Sequence, residues 1–402
     1  MNKITIYDFS KSVCRKDTNA EKYRLRKTLF KTDDVLPVWV ADMDIDTPNF
    51  VLRAVEKRLK HPVVGYEEVP SSAFEAQIEW MKNRHNIEFE LQDMIYSHSV
   101  VASMSVAIEA FSSLGDKVIV QTPVYPPFFH SVKRHEREIL KNPLKQDADG
   151  IYVFDIQDLE SKIDEKTKLL LLCSPHNPVG RVWKKEELEE ILKICLKHNI
   201  VVFSDEIHSD LVYAPNKHIP FASLGKDARD ITITAIGVGK TFNMAGFAMS
   251  SVAIPNKDLR EKFLKVYNRI HFAEGSVLSH VAFEAAYREG DEWLEDLKMH
   301  LMRNYKMLID LCQKYDNKIK LIPIEATYLA WLDCRDMGLN NREIREFFIK
   351  DARLGLNAGL SFGREGSGFM RLNFALSREK MLDVIKRLEH ALWLKYGKKL
   401  QL

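Results

Sequence analysis

The stretch ITITAIGVGKTFNMAG, residues 231–246, predicts a buried strand followed by a turn that carries a lysine. Its first four residues are β-branched and suit a packed, pleated surface. Gly237 and Gly239 then break the strand, and Lys240 follows on the break. A lysine at the carboxyl end of a buried strand has little access to water, which favours an amine that acts as a nucleophile or forms a Schiff base.

The same stretch also matches the end of a phosphate-binding loop of the form GxxxxGK[ST] at Gly239-Lys240-Thr241. The first glycine of that loop would be residue 234, which is a threonine. The loop needs a glycine there for its tight curve. The sequence therefore disfavours a P-loop nucleotide hydrolase.

Composition indicates an ordinary globular protein. The chain has 402 residues, of which 46% are hydrophobic and 29% charged. A net charge of +2 leaves no large basic excess for nucleic acid. The apolar runs are too short for a membrane span, and the N-terminus lacks the apolar region of a signal peptide. The five scattered cysteines form no CxxC pair, so we expect reduced thiols, a cytoplasmic protein and no membrane partner.

Strands alternate with helices from about residue 95 to about residue 285, which predicts a parallel α/β sheet. Ligands on such sheets bind at the carboxyl ends of the strands. Polar residues follow several predicted strand ends, namely Tyr125, Asn177, Asp205, His208 and Lys240. Their convergence at one edge predicts a ligand site.

Three further segments are candidates for the same site. The small residues of 97–105 lead into a helix, where open amides would bind an anion, although a plain capped helix is the commoner case. Asp44 in Asp42-Met43-Asp44 is a candidate substrate ligand, with a simple turn as the favoured alternative. Arg371 lies in a strand between apolar neighbours and needs an anionic partner, which is either a structural salt bridge or a substrate carboxylate.

Several motifs occur together in the order found in one family: PVWVADMD (37–44), VVGYEEV (63–69), SPHNPVGRVW (174–183), SDEIHSDL (204–211), GKTFNMAG (239–246), TYLAWLD (327–333) and FGREGSGFMRLNFA (362–375). Nearly the whole chain resembles the cystathionine β-lyase and C–S lyase branch of the fold-type I pyridoxal-5′-phosphate (PLP) enzymes, which are relatives of class I and II aminotransferases. The resemblance implies a large domain, in which helices sandwich a mostly parallel sheet, and a smaller α+β domain. We expect residues 1–45 to form an arm of the small domain, residues 46–285 the large domain and residues 286–402 the rest of the small domain.

The resemblance also implies roles for the candidate residues. Lys240 would bind PLP covalently and act in catalysis with Asp205 and Tyr125. Asp205 would meet the pyridine nitrogen, and Arg371 would bind the substrate carboxylate. The other implied cofactor ligands are Val100, Val101, Asn177, His208 and, from the neighbouring subunit of a homodimer, Tyr66, which would also border the substrate. The family implies no metal.

This chain departs from its relatives before the lysine. They usually carry hydroxyl residues one and three positions before it, where this chain has Gly239 and Gly237. Phe247 also stands where smaller or aliphatic residues are usual. If residue 237 has a negative φ, Gly237→Ser is expected to strengthen PLP binding by restoring a hydrogen bond.

The predicted reaction is β-elimination from L-cystathionine or another cysteine S-conjugate, which yields a thiol, pyruvate and ammonia. An aminotransferase would use the same residues and is the first alternative. A PLP-binding regulatory protein with weak lyase activity is the second, because the two glycines put the catalytic rate in doubt.

Overall fold

A computed structural model of the chain describes residues 7–15, 17–270 and 275–397. Its helices are α1 (Glu21–Arg24), α2 (Arg26–Phe30), α3 (Asn49–Leu59), α4 (Ser71–His85), α5 (Val100–Phe111), α6 (Pro126–Arg134), α7 (Ile156–Lys162), α8 (Lys185–Lys197), α9 (Lys226–Ile231), α10 (Val238–Thr241), α11 (Lys257–Arg269), α12 (Val277–Glu289), α13 (Asp291–Lys314), α14 (Asn341–Glu346) and α15 (Arg378–Tyr396). None of the helices in these described ranges combines the length and the apolar character needed to cross a membrane.

The strands are β1 (Leu36–Pro37), β2 (Met94–Ser97), β3 (Lys117–Thr122), β4 (Glu138–Pro143), β5 (Lys145–Gln146), β6 (Tyr152–Val153), β7 (Thr167–Cys173), β8 (Val201–Asp205), β9 (Thr232–Gly237), β10 (Ser250–Ala253), β11 (Lys320–Leu321), β12 (Leu329–Asp333), β13 (Leu354–Gly355), β14 (Asn357–Ala358) and β15 (Phe369–Asn373). The predicted strand over 231–234 is confirmed, although residue 231 ends α9 and the strand begins at residue 232.

A seven-stranded sheet in the order β2-β10-β9-β8-β7-β3-β4 forms the centre of the molecule. Its strands are parallel except for β10, which runs antiparallel to both β2 and β9. Helices cover both faces, with α5, α6 and α11 on one side and α8 on the other. The predicted α/β architecture with a mostly parallel sheet is therefore confirmed.

The apolar run of β7 shows why this sheet is buried on both faces. Leu169 and Leu171 pack with the helices on one side, while Leu170 and Leu172 pack with those on the other. Successive side chains of a strand point to opposite faces, so a strand covered twice needs apolar residues at every position.

A smaller antiparallel sheet of order β11-β12-β15-β14 lies C-terminal to the central one. The N-terminal arm joins this part of the molecule, because β1 pairs in parallel with β13. Residues from the arm, the central region and the C-terminal region share one large apolar core. The division of the chain at residues 45 and 285 stays a prediction.

An ion cluster centred on Asp44 fixes the arm against the C-terminal helix. The fully buried carboxylate lies 3.0 Å from Arg15 Nη1, 3.3 Å from Lys22 Nζ and 3.1 Å from Lys380 Nζ. The side chain of Lys22 is equally buried and also contacts Asp42 at 2.6 Å. Burial alone would raise the pKa of Asp44, but the cations outweigh it and hold the pKa below its ordinary value.

We expect Asp44→Asn to lower the free energy of unfolding by about 3 kcal/mol at neutral pH, because it removes a countercharge from buried cations. Urea denaturation followed by circular dichroism measures this loss. The ionised carboxylate contributes in full above the ordinary pKa of 3.8, and its contribution declines as pH falls through the lower folded-state value. The difference between variant and wild type should therefore shrink in acid.

The control is Glu88→Gln, which breaks the ion pair between Glu88 and Lys82. This pair is exposed: 64% of the Glu88 side chain and 56% of the Lys82 side chain are accessible to solvent. Exposed pairs contribute about 1 kcal/mol or less. Equal losses in the two variants would contradict a structural role for the Asp44 cluster.

Candidate active site

A cavity of about 200 Å³ opens at the carboxyl edge of the central sheet. The structure brings together there most of the residues predicted from sequence: Val100, Val101, Tyr125, Asn177, Asp205, His208 and Lys240. The convergence follows from the parallel register, in which Cys173 at the end of β7 pairs with Asp205 at the end of β8.

Lys240 enters the cavity from α10, the single helical turn that follows β9. Its Nζ donates a hydrogen bond to the Ala41 carbonyl at 2.7 Å, and Tyr328 Oη donates to the same oxygen at 2.9 Å. Burial and, to a smaller extent, the nearby charge of Arg371 lower the pKa of Lys240 to about 8, although Asp42 and Asp205 oppose the shift. The amine is therefore much more often neutral than an ordinary lysine, as a nucleophile requires.

Asp205 is a buried carboxylate at the end of β8. It accepts a hydrogen bond from the backbone amide of Ile207 at 3.2 Å. Burial raises the pKa of Asp205 to about 7, although the charge of Lys240 lowers it in part. A carboxylate in this setting would be stabilised by a ligand cation beside it.

Arg371 lies on β15 and contacts Asn177, one of the residues that line the cavity. Its Nη1 donates to Asn177 Oδ1 at 3.0 Å, and its Nη2 donates to the Trp39 carbonyl and to Asn357 Oδ1, both at 2.8 Å. These partners are neutral, and Arg371 Nε has no hydrogen-bond partner in the described part of the chain. Burial lowers the pKa of Arg371 to about 10, so the guanidinium still carries its charge. Of the two sequence alternatives, the contacts favour an anionic ligand over a structural salt bridge.

Two neutral rings complete the wall of the cavity. Burial lowers the pKa of His208 to about 3, and its imidazole packs edge-to-face against Tyr328 with the centroids 6.0 Å apart. Burial also raises the pKa of Tyr125, whose backbone amide donates to the Asn177 carbonyl at 3.1 Å. Both side chains are therefore uncharged near neutral pH.

The N-terminus of α5 forms the other end of the cavity. Ser99 is its N-cap and accepts from the Ala102 amide at 3.2 Å. The amides of Val100 and Val101 lie in the first turn, where a helix provides them with no carbonyl partner. Such a helix end attracts anions, so this part of the cavity suits a phosphate.

None of the three predicted substrate ligands lines the cavity: Arg371 contacts the lining residue Asn177 from outside, and Asp44 and Tyr66 lie elsewhere in this chain. Asp44 belongs to the ion cluster of the arm and does not line the cavity. Three cationic side chains contact the Asp44 carboxylate and balance its charge, so the carboxylate can be buried without a bound ligand. Tyr66 is fully exposed within the exposed stretch 61–68. It does not line the cavity of its own chain.

The two glycines before the lysine differ in the space around them. Gly237 has extended backbone and pairs with Ser250 on β10, so a Cβ at residue 237 would lie only 2.8 Å from the Ser250 Cβ. A Cβ at Gly239 would lie 3.6 Å from the Ala245 Cα, an ordinary contact. The expectation that Gly237→Ser strengthens cofactor binding is therefore opposed by the packing, because the neighbouring strand fills that space.

Some residues around the cavity were not identified from the sequence. Ala41 contributes a backbone carbonyl, for which a sequence carries no side-chain signal. Tyr328 lies in the TYLAWLD motif, but its hydrogen bond to Ala41 depends on the distant arm. Ser250 lines the cavity because β10 pairs antiparallel with β9, a pairing that local patterns do not predict.

Comparisons with known proteins agree with this geometry. The profile of the family described as aminotransferase class I and II matches residues 36–388. The chain is 38% identical to cystathionine beta-lyase PatB of Bacillus subtilis (strain 168), over 96% of this chain and 100% of that protein. The resemblance identified from the motifs is thus confirmed.

Solved structures show the same fold. Cystalysin of Treponema denticola, which contains a pyridoxal 5′-phosphate cofactor, is similar with a TM-score of 0.93 and 35% identity, over 99% of this chain and 100% of that one. The PLP-bound C–S lyase of Staphylococcus hominis is similar with a TM-score of 0.87 and 33% identity, over 96% and 98% of the two chains.

In the cofactor-free protein, we expect acylation of Lys240 to reach half of its maximal rate near pH 8, because the neutral amine is the reactive form and burial lowers its pKa to about 8. Brief treatment with acetic anhydride at a series of pH values, followed by peptide mass spectrometry, measures the profile. Asp42→Asn should move the midpoint to lower pH, since the Asp42 charge raises the pKa of Lys240. A rate that still rises near the ordinary lysine pKa of about 10.4 would contradict the shift.

Proposed function

Because this chain belongs to the aminotransferase class I and II family, we propose that it is a PLP-dependent carbon–sulfur β-lyase. It eliminates a thiol from L-cystathionine or a related cysteine S-conjugate, and water hydrolyses the remaining 2-aminoacrylate to pyruvate and ammonia. One observation carries the proposal: a lysine of lowered pKa and a carboxylate of raised pKa line one cavity that ends at a helix N-terminus. The relative PatB is named a cystathionine beta-lyase, which supports the choice of reaction.

The buried polar groups fit PLP. Asp205 forms no ion pair in the described residues, and burial raises its pKa although the Lys240 charge acts against the shift. A protonated pyridine nitrogen beside it would supply a direct countercharge. Lys240 provides the amine for covalent attachment. Asn177 uses its amide oxygen to accept from Arg371, which leaves its NH₂ group to donate to the phenolate oxygen of the ring.

The phosphate and the ring face have their own partners. The first-turn amides of Val100 and Val101 would donate to the phosphate, in the way that helix N-termini bind anions. Tyr125 borders the cavity with an uncharged ring that would stack on the cofactor. His208 remains neutral beside it, so it adds no charge to the ring.

Bound PLP supplies an electron sink for the negative charge that forms on the substrate Cα. Lys240 would be the base that removes the Cα proton. The Cβ–S bond then breaks, and sulfur leaves with the bonding electrons. A thiol has a pKa of about 8.5, so the thiolate departs with little help from an acid.

Arg371 would bind the substrate carboxylate. Its guanidinium is oriented by three neutral acceptors, and Nε has no partner in the described residues. A carboxylate would accept from the unpartnered Nε–H and, if it replaced one of the present acceptors of Nη2, from Nη2 as well, through two parallel hydrogen bonds. Binding it would also offset the cost of burying the arginine.

The active form would be a homodimer with shared sites. Tyr66 is fully exposed next to the exposed apolar residues Val63 and Val64, and in a dimer it would reach the phosphate of the partner's cofactor. A second copy of the chain would bury these exposed apolar side chains in the dimer interface. Sedimentation of the PLP-loaded protein as a single chain would overturn this part of the proposal.

A cytoplasmic location is also proposed. All five cysteines are free thiols, and four of them are buried. Reduced cysteines are the rule in reducing compartments. Isolation of the native protein with a disulfide would oppose the assignment.

The test is turnover of L-cystathionine by PLP-loaded protein in the absence of any keto acid. A lyase should form pyruvate continuously, whereas an aminotransferase stops after one cycle because its cofactor is left in the amine form. Pyruvate is measured with a coupled dehydrogenase. One equivalent of the 2-keto acid of cystathionine, formed without pyruvate, would favour the aminotransferase, and no reaction in a PLP-loaded protein would favour a binding protein.

Asp205→Asn should keep PLP bound but raise the barrier to elimination by about 2–4 kcal/mol, because the electrostatic contact to the ring nitrogen is lost. The matched control is Asp158→Asn, which alters a carboxylate on α7 that binds Lys162 at 2.6 Å. It should react like wild type. Near-normal turnover of Asp205→Asn would show that this carboxylate does not act on the ring.

A further inference from the structure

A row of three small residues crosses the sheet at the phosphate end of the cavity. Ser250 on β10 pairs with Gly237 on β9 on one side and with Ser97 on β2 on the other. Cross-strand neighbours place their side chains on the same face. Ser97 lies two residues before Ser99, the N-cap of α5, so the row runs from the lysine-bearing strand toward the amides that suit a phosphate.

Ser250 is the member of this row that lines the cavity. It is 3% exposed, and its Oγ donates to the Ser97 carbonyl at 3.2 Å, near the long end of the normal range. The other hydroxyls nearby have local tasks. Ser99 Oγ caps α5 by accepting from Ala102, and Ser97 Oγ donates to the Ser99 carbonyl at 3.0 Å.

We propose that Ser250 Oγ donates a hydrogen bond to the phosphate of the cofactor, and that β10 thereby contributes the hydroxyl that β9 lacks at residue 237. The inference rests on the proposed PLP-dependent function. Rotation about the Cα–Cβ bond of Ser250 would replace its long hydrogen bond to the neutral Ser97 carbonyl with a hydrogen bond to a charged phosphate oxygen. Hydrogen bonds to charged groups are about twice as strong as those between neutral groups.

Packing allows only one of the two strands to carry this hydroxyl. A Cβ at residue 237 would lie 2.8 Å from the Ser250 Cβ and 3.1 Å from the Ser250 Cα. The first contact disappears when residue 250 has no Cβ, whereas the second requires the backbone at residue 250 to shift by a few tenths of an ångström. A Cβ at residue 237 and the Cβ of Ser250 therefore compete for the same space.

The first experiment measures the dissociation constants of PLP and of pyridoxal, which lacks the phosphate, for apo-protein variants. Ser250→Ala should weaken PLP binding about ten- to hundredfold, the size expected for one hydrogen bond to a charged group, and should leave pyridoxal binding unchanged. Absorbance titration gives both constants, and circular dichroism verifies the fold.

Ser251→Ala is the matched control. This neighbouring serine lies on the same strand but faces the opposite side of the sheet, where its Oγ donates to Gln77 Oε1 at 2.7 Å. Its loss should leave the PLP constant unchanged even if the melting temperature falls. Equal weakening of PLP by the two variants, or equal weakening of PLP and pyridoxal by Ser250→Ala, would overturn the proposal.

The second experiment moves the hydroxyl between strands. Gly237→Ser alone should destabilise the protein, whereas Gly237→Ser combined with Ser250→Gly should bind PLP at least tenfold more tightly than Ser250→Gly alone. A double variant that binds no better than Ser250→Gly would refute the exchange of one hydroxyl for the other.

The outcomes separate this inference from the proposed function. If wild-type protein fails to bind PLP, the function itself fails and the inference fails with it. If wild type binds PLP and Ser250→Ala binds it equally well, the inference alone is wrong.

Discussion

The amine of Lys240 and the carboxylate of Asp205 line one buried cavity. The free-energy cost of charging these two groups away from water determines which ligand the cavity can bind. Burial lowers the pKa of Lys240 to about 8 and raises that of Asp205 to about 7, while each charge partly restores the other. Both groups therefore titrate close to neutral pH in the protein alone. A ligand that is cationic beside Asp205 and reacts with the neutral amine of Lys240 relieves both costs at once. The folded chain thus provides an electrostatic arrangement that a ligand of this kind would balance.

The N-terminal arm connects this cavity to the rest of the molecule through its backbone. The Ala41 carbonyl accepts from Lys240, and the Trp39 carbonyl accepts from Arg371. Two residues of one segment thus hold the amine and the guanidinium in fixed relation. Asp44 lies a few residues further along and is held by cations from the arm and from α15. The ion cluster thus anchors the segment whose carbonyls hold both Lys240 and Arg371.

Local patterns were sufficient for the sheet and for the residues at its edge. The apolar run of β7 predicts a strand covered on both faces, and parallel strands must end at one edge, so Asn177, Asp205 and Lys240 converge without further information. Motif order then identified the family. The same logic does not place Asp44, since acidic residues after a strand are compatible with a ligand, a turn or an ion cluster. Its three partners are distant in sequence, and only the folded chain brings them together.

The glycine at residue 237 shows the limit of comparing one position at a time. Considered along the chain alone, Gly237 lacks the hydroxyl that relatives carry, and a serine there would be expected to add a hydrogen bond. Considered across the sheet, Gly237 is the cross-strand partner of Ser250, and Ser250 fills the volume that a side chain at residue 237 would need. The relevant quantity is the combined volume and hydrogen-bonding capacity of two paired positions about a dozen residues apart. Since packing in a central sheet is dense, the effect of a substitution at one of these positions depends on the residue paired with it across the sheet.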